Sequence, residues 1–336
     1  MNITNKRKRK VLIITYYFPP LGMGGVQRVS KFVKYLPSFG WKPVVLTVKD
    51  IEYFSHDDSL LQELPSEVKI IRTGSLDPLR IIFLFKKLFY RNKSREKQTS
   101  DPKRVALRNS KKKKAKYFPS SLLKFIEFFY FPDNKIDWLP FALIKGIKLC
   151  RKEKIHLIFS TSPPLTCHLA GFLLKKITRI KWVSDYRDSY SGPENRKSMP
   201  FPKKYLLKYL QKIFSKNADA LIGVNQMITV EIEDFYARTP KAELISNGYD
   251  QKDFEIEVEK EQSIFRIIYF GTFSPDCPPE PFLIAFHNLL QQNKIDKKKI
   301  KFIHSGFSIG IDVERLIEKY DLKETIESKG YLPHKE

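Results

Sequence analysis

The sharpest chemistry-bearing cluster in this sequence is Asp185, Arg187 and Asp188, in the run SDYRDSY. Two carboxylates beside one guanidinium are costly to bury unless they are paired. At a strand end in a cleft, the arginine can grip a phosphate and a carboxylate can accept a sugar hydroxyl. The plainer reading is an ion pair that caps the next segment. A second candidate is the stretch KVLIITYYFPPLGMGGVQR, residues 10–28, where Gly22, Gly24 and Gly25 separate an apolar run from a helical pattern. Glycines let a backbone approach a ligand closely, and the first turn of a helix offers unpaired N–H groups to an anion. This is either a phosphate or diphosphate cradle or a tight turn without a ligand. Ser160, Thr161 and Ser162 precede Pro163-Pro164, a pattern suited to a helix start. His168 lies on an apolar helical stretch and reads first as a core histidine, with catalysis as the minor alternative; the same holds for His304, just before Gly306. No Ser-His-Asp order or glycosidase-like carboxylate pair follows from spacing, and no His/Cys grouping has metal-ligand spacing.

A dinucleotide fingerprint competes for the glycine stretch, because Asp50 follows the second strand where a ribose-binding carboxylate could sit. That fingerprint requires G-x-G-x-x-G directly after the strand. Here Gln27 occupies the third glycine position and two prolines lengthen the loop, so a nicotinamide-dependent oxidoreductase is the weaker reading.

The elements that must position these groups alternate. Apolar runs predict strands at 11–17, 42–48, 68–73, 156–160, 180–184, 220–224 and 242–245. Helical patterns fall at 26–36, 138–152, 165–178, 202–216 and 228–236, and the connection at 56–67 is acidic and polar. Strand–helix alternation implies a parallel, doubly wound α/β sheet, which binds ligands at the carboxyl ends of its strands. Gly24-Gly25, Ser160–Ser162 and Asp185–Asp188 all fall at that edge. Asn247-Gly248-Tyr249-Asp250 closes this first domain, 1–250, and a polar linker spans 251–263. The pattern then restarts, with strands at 264–270, 300–304 and 326–332 and helices at 279–292 and 312–319. Gly271-Thr272 follows the first of these strands.

The chain has 336 residues, enough for about two domains. Its three cysteines lack disulfide or metal patterning, which favours a reduced, cytoplasmic compartment. No run approaches a membrane span, and Pro19-Pro20 stands where a signal peptide would need a cleavage site. A formal charge of +24 favours polyanions. Residues 91–116 form a basic insertion, with Lys111 to Lys114 in a row. It is flanked by LRIIFLFKKLFY and SSLLKFIEFFYF, each suited to a helix lying in an anionic membrane interface. Two ordinary packed helices are the alternative. Nucleic acid is disfavoured, because no recognition motif accompanies the charge.

Taken in order, the segments YYFPPLGMGGVQR, IFSTSPPLTCHLAG, KWVSDYRDSY, ISNGYD, YFGTF and GYLPHKE resemble family-4 glycosyltransferases with the GT-B fold, in the bacterial surface-polysaccharide branch. The resemblance covers nearly the whole chain outside 91–116. It implies two Rossmann-like domains with the active site between them. The reaction it implies is transfer of a sugar from a nucleotide-sugar to a glycan or lipid-linked acceptor, with retention at the anomeric carbon and no required metal or other cofactor. By this resemblance Gly24 and Gly25 lie under the donor diphosphate, and Gly271 and Thr272 face the donor from the second domain. Ser160, Thr161, Ser162 and His168 fall on the acceptor side. Asp185 to Asp188 line that side too, with Asp185, Arg187 and Asp188 as the catalytic candidates, and Asn247, Gly248 and Asp250 mark the passage between domains. The family's Glu-x7-Glu pair has no counterpart in 254–336, and GTFSPDCPPEPF lacks the usual base. These departures imply a chain truncated in its donor domain, inactive alone, or a membrane-peripheral binding module that has lost its chemistry.

Overall fold

A computed structural model describes residues 9–22, 24–49, 51, 53, 55–76, 130–189, 201–234, 242–255 and 263–334. Asp50, the basic insertion 91–116 and the aromatic segments flanking it, apart from residues 130 and 131, lie outside the described residues. The chain divides after Asp250 into two compact units.

The first unit contains β1 (Arg9–Ile14), α1 (Gly24–Tyr35), β2 (Trp41–Val48), α2 (Ser59–Gln62) and β3 (Lys69–Thr73). After the undescribed stretch come α3 (Leu139–Lys152), β4 (Leu157–Ser162), α4 (Thr166–Thr178) and β5 (Lys181–Tyr186). It ends with α5 (Phe201–Asn217), β6 (Ala220–Gly223), α6 (Gln226–Asp234) and β7 (Ala242–Leu244). The seven strands form one sheet in the order β3-β2-β1-β4-β5-β6-β7, parallel throughout.

β1 shows why this sheet needs helices on both faces. Val11 and Ile13 pack with Val29 and Val33 of α1, whereas Leu12 and Ile14 join the core beneath α3 and α4. Such two-sided burial produces the continuous apolar run seen in the sequence. Pro43 is tolerated in β2 because pairing with β3 begins only at Val44, so no second partner needs its missing N–H. The strand order reverses between β1 and β4. In doubly wound sheets the crevice outside the carboxyl ends of strands at such a point is the ligand position.

Three expectations change. The polar connection at 56–67 contains a short helix, α2. β1 stops at Ile14, and residues 15–22 lie outside it in the loop. β4 and β5 each run two residues beyond their sequence-based limits, to Ser162 and Tyr186, because their pairing continues to that register. Thr161, Ser162 and Asp185 are therefore strand residues, as Ser160 was expected to be.

The second unit contains β8 (Phe265–Phe270), α7 (Glu280–Gln291), β9 (Ile300–Ser305), α8 (Val313–Lys319) and β10 (Ile326–Gly330). Its described strands form a parallel sheet in the order β10-β9-β8. Phe273, Leu283, Phe286, Phe302 and Leu322 lie at its core.

Gly171 of α4 lets this helix lie close on the sheet. A Cβ there would lie 2.5 Å from Nε1 of the buried Trp182. Gly171→Ala should destabilise the protein by about 1–3 kcal/mol through overpacking, read as a lower melting temperature; an unchanged melt would show that Trp182 can yield.

Candidate functional site

The loop from β1 and the start of α1 meet the ends of β4 and β5 at the reversal of strand order. Gly24 and Gly25 are the first residues of α1, and both are exposed. A Cβ on Gly24 would meet nothing within 4 Å, and one on Gly25 only Arg187, at 3.8 Å. The glycine turn is therefore open, and it lies against the acid–base run of β5.

Within that run the pairing differs from the expected one. Asp185 is fully buried and bonds to Arg28, not Arg187. Arg28 Nη2 donates to Asp185 Oδ1 at 2.8 Å and Nε to Oδ2 at 3.3 Å. Thr161 Oγ1 adds a donor to Oδ2 at 2.7 Å. Arg28 also donates to the carbonyls of Ile245 and Ser246 and to Oδ1 of Asn247. Charge-assisted, bidentate contacts of this kind are what make such burial tolerable.

Arg187 instead braces backbone. Its Nε donates to the Ser162 carbonyl at 3.2 Å, Nη2 to the Pro163 carbonyl at 2.8 Å, and Nη1 to the Gly25 carbonyl. It ties the first turn of α1 to the end of β4, so its observed contacts position the glycine turn. Asp188 is exposed and turns away, lining a shallow crevice with Gln211 of α5 and Glu231 of α6. Asp185, Arg187 and Asp188 thus do not act as one cluster.

The expected acceptor-side residues are not at the surface. Ser160, Thr161, Ser162 and His168 are all buried. The Trp182 indole N–H donates to Ser160 Oγ at 2.8 Å, and that hydroxyl pairs with His168 Nδ1 at 2.8 Å. His168 Nε2 has no hydrogen-bond partner among the described residues. Burial, with the Arg187 charge adding, pushes the His168 pKa down to about 3. His168 is therefore a neutral core histidine, packed against Tyr186. Nor do the three hydroxyls cap α4. Asp133 does, accepting from the Thr166 backbone N–H at 2.9 Å and its hydroxyl at 2.8 Å.

The turn after β7 is held at both ends by α1. Arg28 grips Ser246 and Asn247. Buried Asp250 accepts from Lys31 at 3.0 Å, Lys34 at 2.6 Å and Tyr35 at 2.6 Å. Gly248 stays exposed between them.

In the second unit, Gly271 differs from Gly24. A Cβ on Gly271 would strike the Tyr269 ring at 2.7 Å, and one on Gly306, at φ 151°, would strike the Gly271 carbonyl at 1.9 Å. His304 Nε2 donates to that same carbonyl at 3.0 Å, and burial lowers the His304 pKa. Internal packing thus accounts for glycine at 271, and Thr272 beside it is half-buried.

Sequence reasoning missed Arg28 as a site residue. Its position one helical turn after Gly24 was the available signal, but its partner Asp185 lies 157 residues away. Removing one member of such a buried pair costs about 3–5 kcal/mol. Arg28→Met should lower stability on that scale in thermal unfolding, and adding Asp185→Leu should cost less than the two single losses combined. His168 yields a pH test. Between 6.5 and about 3 the unfolded chain takes up a proton that the folded protein refuses, so stability falls as pH drops through that window. His168→Gln should flatten that fall, whose limiting slope is about 1.4 kcal/mol per pH unit; an identical pH profile of melting temperature would contradict the buried, neutral assignment.

No protein-family model and no curated protein sequence matches the chain. Solved structures do. HepE from Anabaena, in complex with UDP and glucose, aligns at a TM-score of 0.58 and 12% identity, over 97% of this chain and 70% of that chain. A TarM variant from S. aureus, in complex with fondaparinux, α-GlcNAc-glycerol and UDP, aligns at 0.54 and 9% identity, over 96% and 78%. At such identities the likeness is one of fold. The chain has an α/β, Rossmann-like fold of the GT-B kind, and its structural neighbours include GT-B glycosyltransferases.

Proposed function

We propose that this protein is a nucleotide-sugar-dependent glycosyltransferase of bacterial surface-polysaccharide synthesis, acting with retention on a glycan or lipid-linked acceptor at an anionic membrane surface on the cytoplasmic side. The observation that carries the reading is the open glycine start of α1, held against the ends of β4 and β5 where the strand order reverses. The structural neighbour HepE, in complex with UDP and glucose, supports a uridine nucleotide-sugar as the donor.

In this reading the first-turn N–H groups of α1, reinforced by its dipole, stabilise the departing diphosphate without a metal. Gly24 and Gly25 allow its close approach. Arg187 sets the position of that turn, and Arg28 with Asp185 anchors α1 against β5. These last three are positioning residues. Asp188 is the exposed carboxylate of the run, and Gly271 and Thr272 are the second unit's candidates at the end of β8. Among the described residues no helix is long and apolar enough to cross a membrane, so in this reading contact with lipid is peripheral.

The test is incubation of the purified protein with a panel of uridine, guanosine and thymidine diphosphate sugars, scoring binding by calorimetry and release of free nucleotide. At least one should bind and turn over. Gly24→Ala should weaken that binding about tenfold, because its methyl enters the open turn. The melting temperature should hold, since a Cβ at Gly24 meets nothing within 4 Å. Binding of no sugar nucleotide would leave a non-catalytic module instead.

A further inference from the structure

The helices α3, α4 and α5 form a continuous outer layer on one face of the first unit, α3 packing on α4 and α4 on α5. They carry four, two and five lysines or arginines respectively, and none contains an aspartate or glutamate. The contrast with α6 is sharp, where Glu231, Glu233 and Asp234 fall within nine residues. Random placement of this chain's charges would not clear every acid from three adjacent helices.

α5 shows what the layer presents outward. Its inner side buries Leu207, Gln211, Phe214 and Ser215. Outside, Lys204, Lys208, Lys212 and Lys216 recur every fourth residue, and all are exposed. Residues four apart share one helix face, so the lysines form a single ladder about 20 Å long. Beside it stand Tyr205, 59% exposed, and Tyr209, 62% exposed. Aromatic rings on a lysine face suit a bilayer interface, where the ring enters the headgroup region and the lysine stem reaches back to the phosphates.

The geometry points to the α5 face of this acid-free layer as a docking surface for an anionic lipid bilayer, with the Lys204–Lys216 ladder on the phosphates and Tyr205 and Tyr209 in the headgroup layer. It rests on the reading above only where that reading places the acceptor at a membrane. Lipid is favoured over nucleic acid because the outer charges of α5 are all lysines, point charges without the planar fork used for base and phosphate recognition. The position also differs from the sequence-based expectation, which put membrane contact on the segments flanking 91–116.

The experiment is co-sedimentation of the full chain with phosphatidylcholine vesicles, with and without about one-third phosphatidylglycerol, at low and raised salt. Wild type should bind only the anionic vesicles and release as salt rises. A lysine near such a surface contributes about fivefold in partition. The Lys204→Gln, Lys212→Gln, Lys216→Gln triple variant should therefore lose on the order of a hundredfold, and Tyr209→Ser should also weaken binding. A charge-matched control, Lys294→Gln, Lys298→Gln, Lys299→Gln in the second unit, should bind as wild type does. Circular dichroism and melting curves check that every variant folds. The proposal is overturned if wild type ignores anionic vesicles, if the control loses as much as the α5 variant, or if single-stranded RNA competes the protein off the vesicles while its release depends on the same lysines. Sugar-nucleotide binding measured without vesicles should be unaffected by the α5 changes. Loss of that binding in wild type would count against the enzymatic reading and leave the lipid result standing.

Discussion

A guanidinium and a carboxylate withdrawn from water hold the first unit's candidate site in register. Arg28 on α1 and Asp185 on β5 each lose their hydration, a cost that mutual attraction alone does not reliably offset. Here the offset is shared. Thr161 supplies a further donor to the carboxylate, and the carbonyls of Ile245 and Ser246, with Asn247 Oδ1, take up the remaining donors of the arginine. The pair thereby joins a helix, two neighbouring strands and the turn after β7. Lys31, Lys34 and Tyr35 extend the same helix face onto Asp250, so α1 is fastened along most of its length while its first turn stays open.

That first turn gains its meaning from contrast. Gly24, at the start of the helix after β1, and Gly271, just after β8, are glycine for different reasons. At Gly271 a Cβ would meet the Tyr269 ring at 2.7 Å. At Gly24 nothing crowds the position, so packing gives no reason to exclude a side chain. A glycine retained in open space at a helix start, where N–H groups stand unpaired, fits a backbone that a ligand must approach. Arg187 sharpens the argument, since it holds the carbonyl of Gly25 and fixes where those N–H groups point.

Charge is segregated over the first unit as well. The layer of α3, α4 and α5 is wholly basic, whereas the acids that matter most to the fold, Asp133, Asp185 and Asp250, are consumed by caps and ion pairs inside it. The net charge of +24 is therefore not an even background; part of it is concentrated on one surface.

Periodicity alone was enough to recover almost every described strand and helix, because a two-sided sheet writes its burial directly into continuous apolar runs and its helices into apolar stripes. Composition likewise carried the alternation that makes the sheet parallel and doubly wound; the glycines before α1 were legible as a turn, but not whether that turn stood open. What the linear chain could not specify was partnership. Thr161 and Ser162 read in sequence as a polar loop after the strand, yet β4 pairs with β5 through Ser162; the Ser160 and Thr161 hydroxyls meet Trp182, His168 and Asp185 in the interior. Asp185 and Arg187, two residues apart, look like a pair, but β5 ends at Tyr186 between them; Asp185 meets Arg28, 157 residues away, and Arg187 takes the backbone carbonyls of Gly25, Ser162 and Pro163. Local pattern determines which elements form; which charge meets which is decided only when distant elements pack, because burial forces each buried polar group to take whatever partner the fold brings to it.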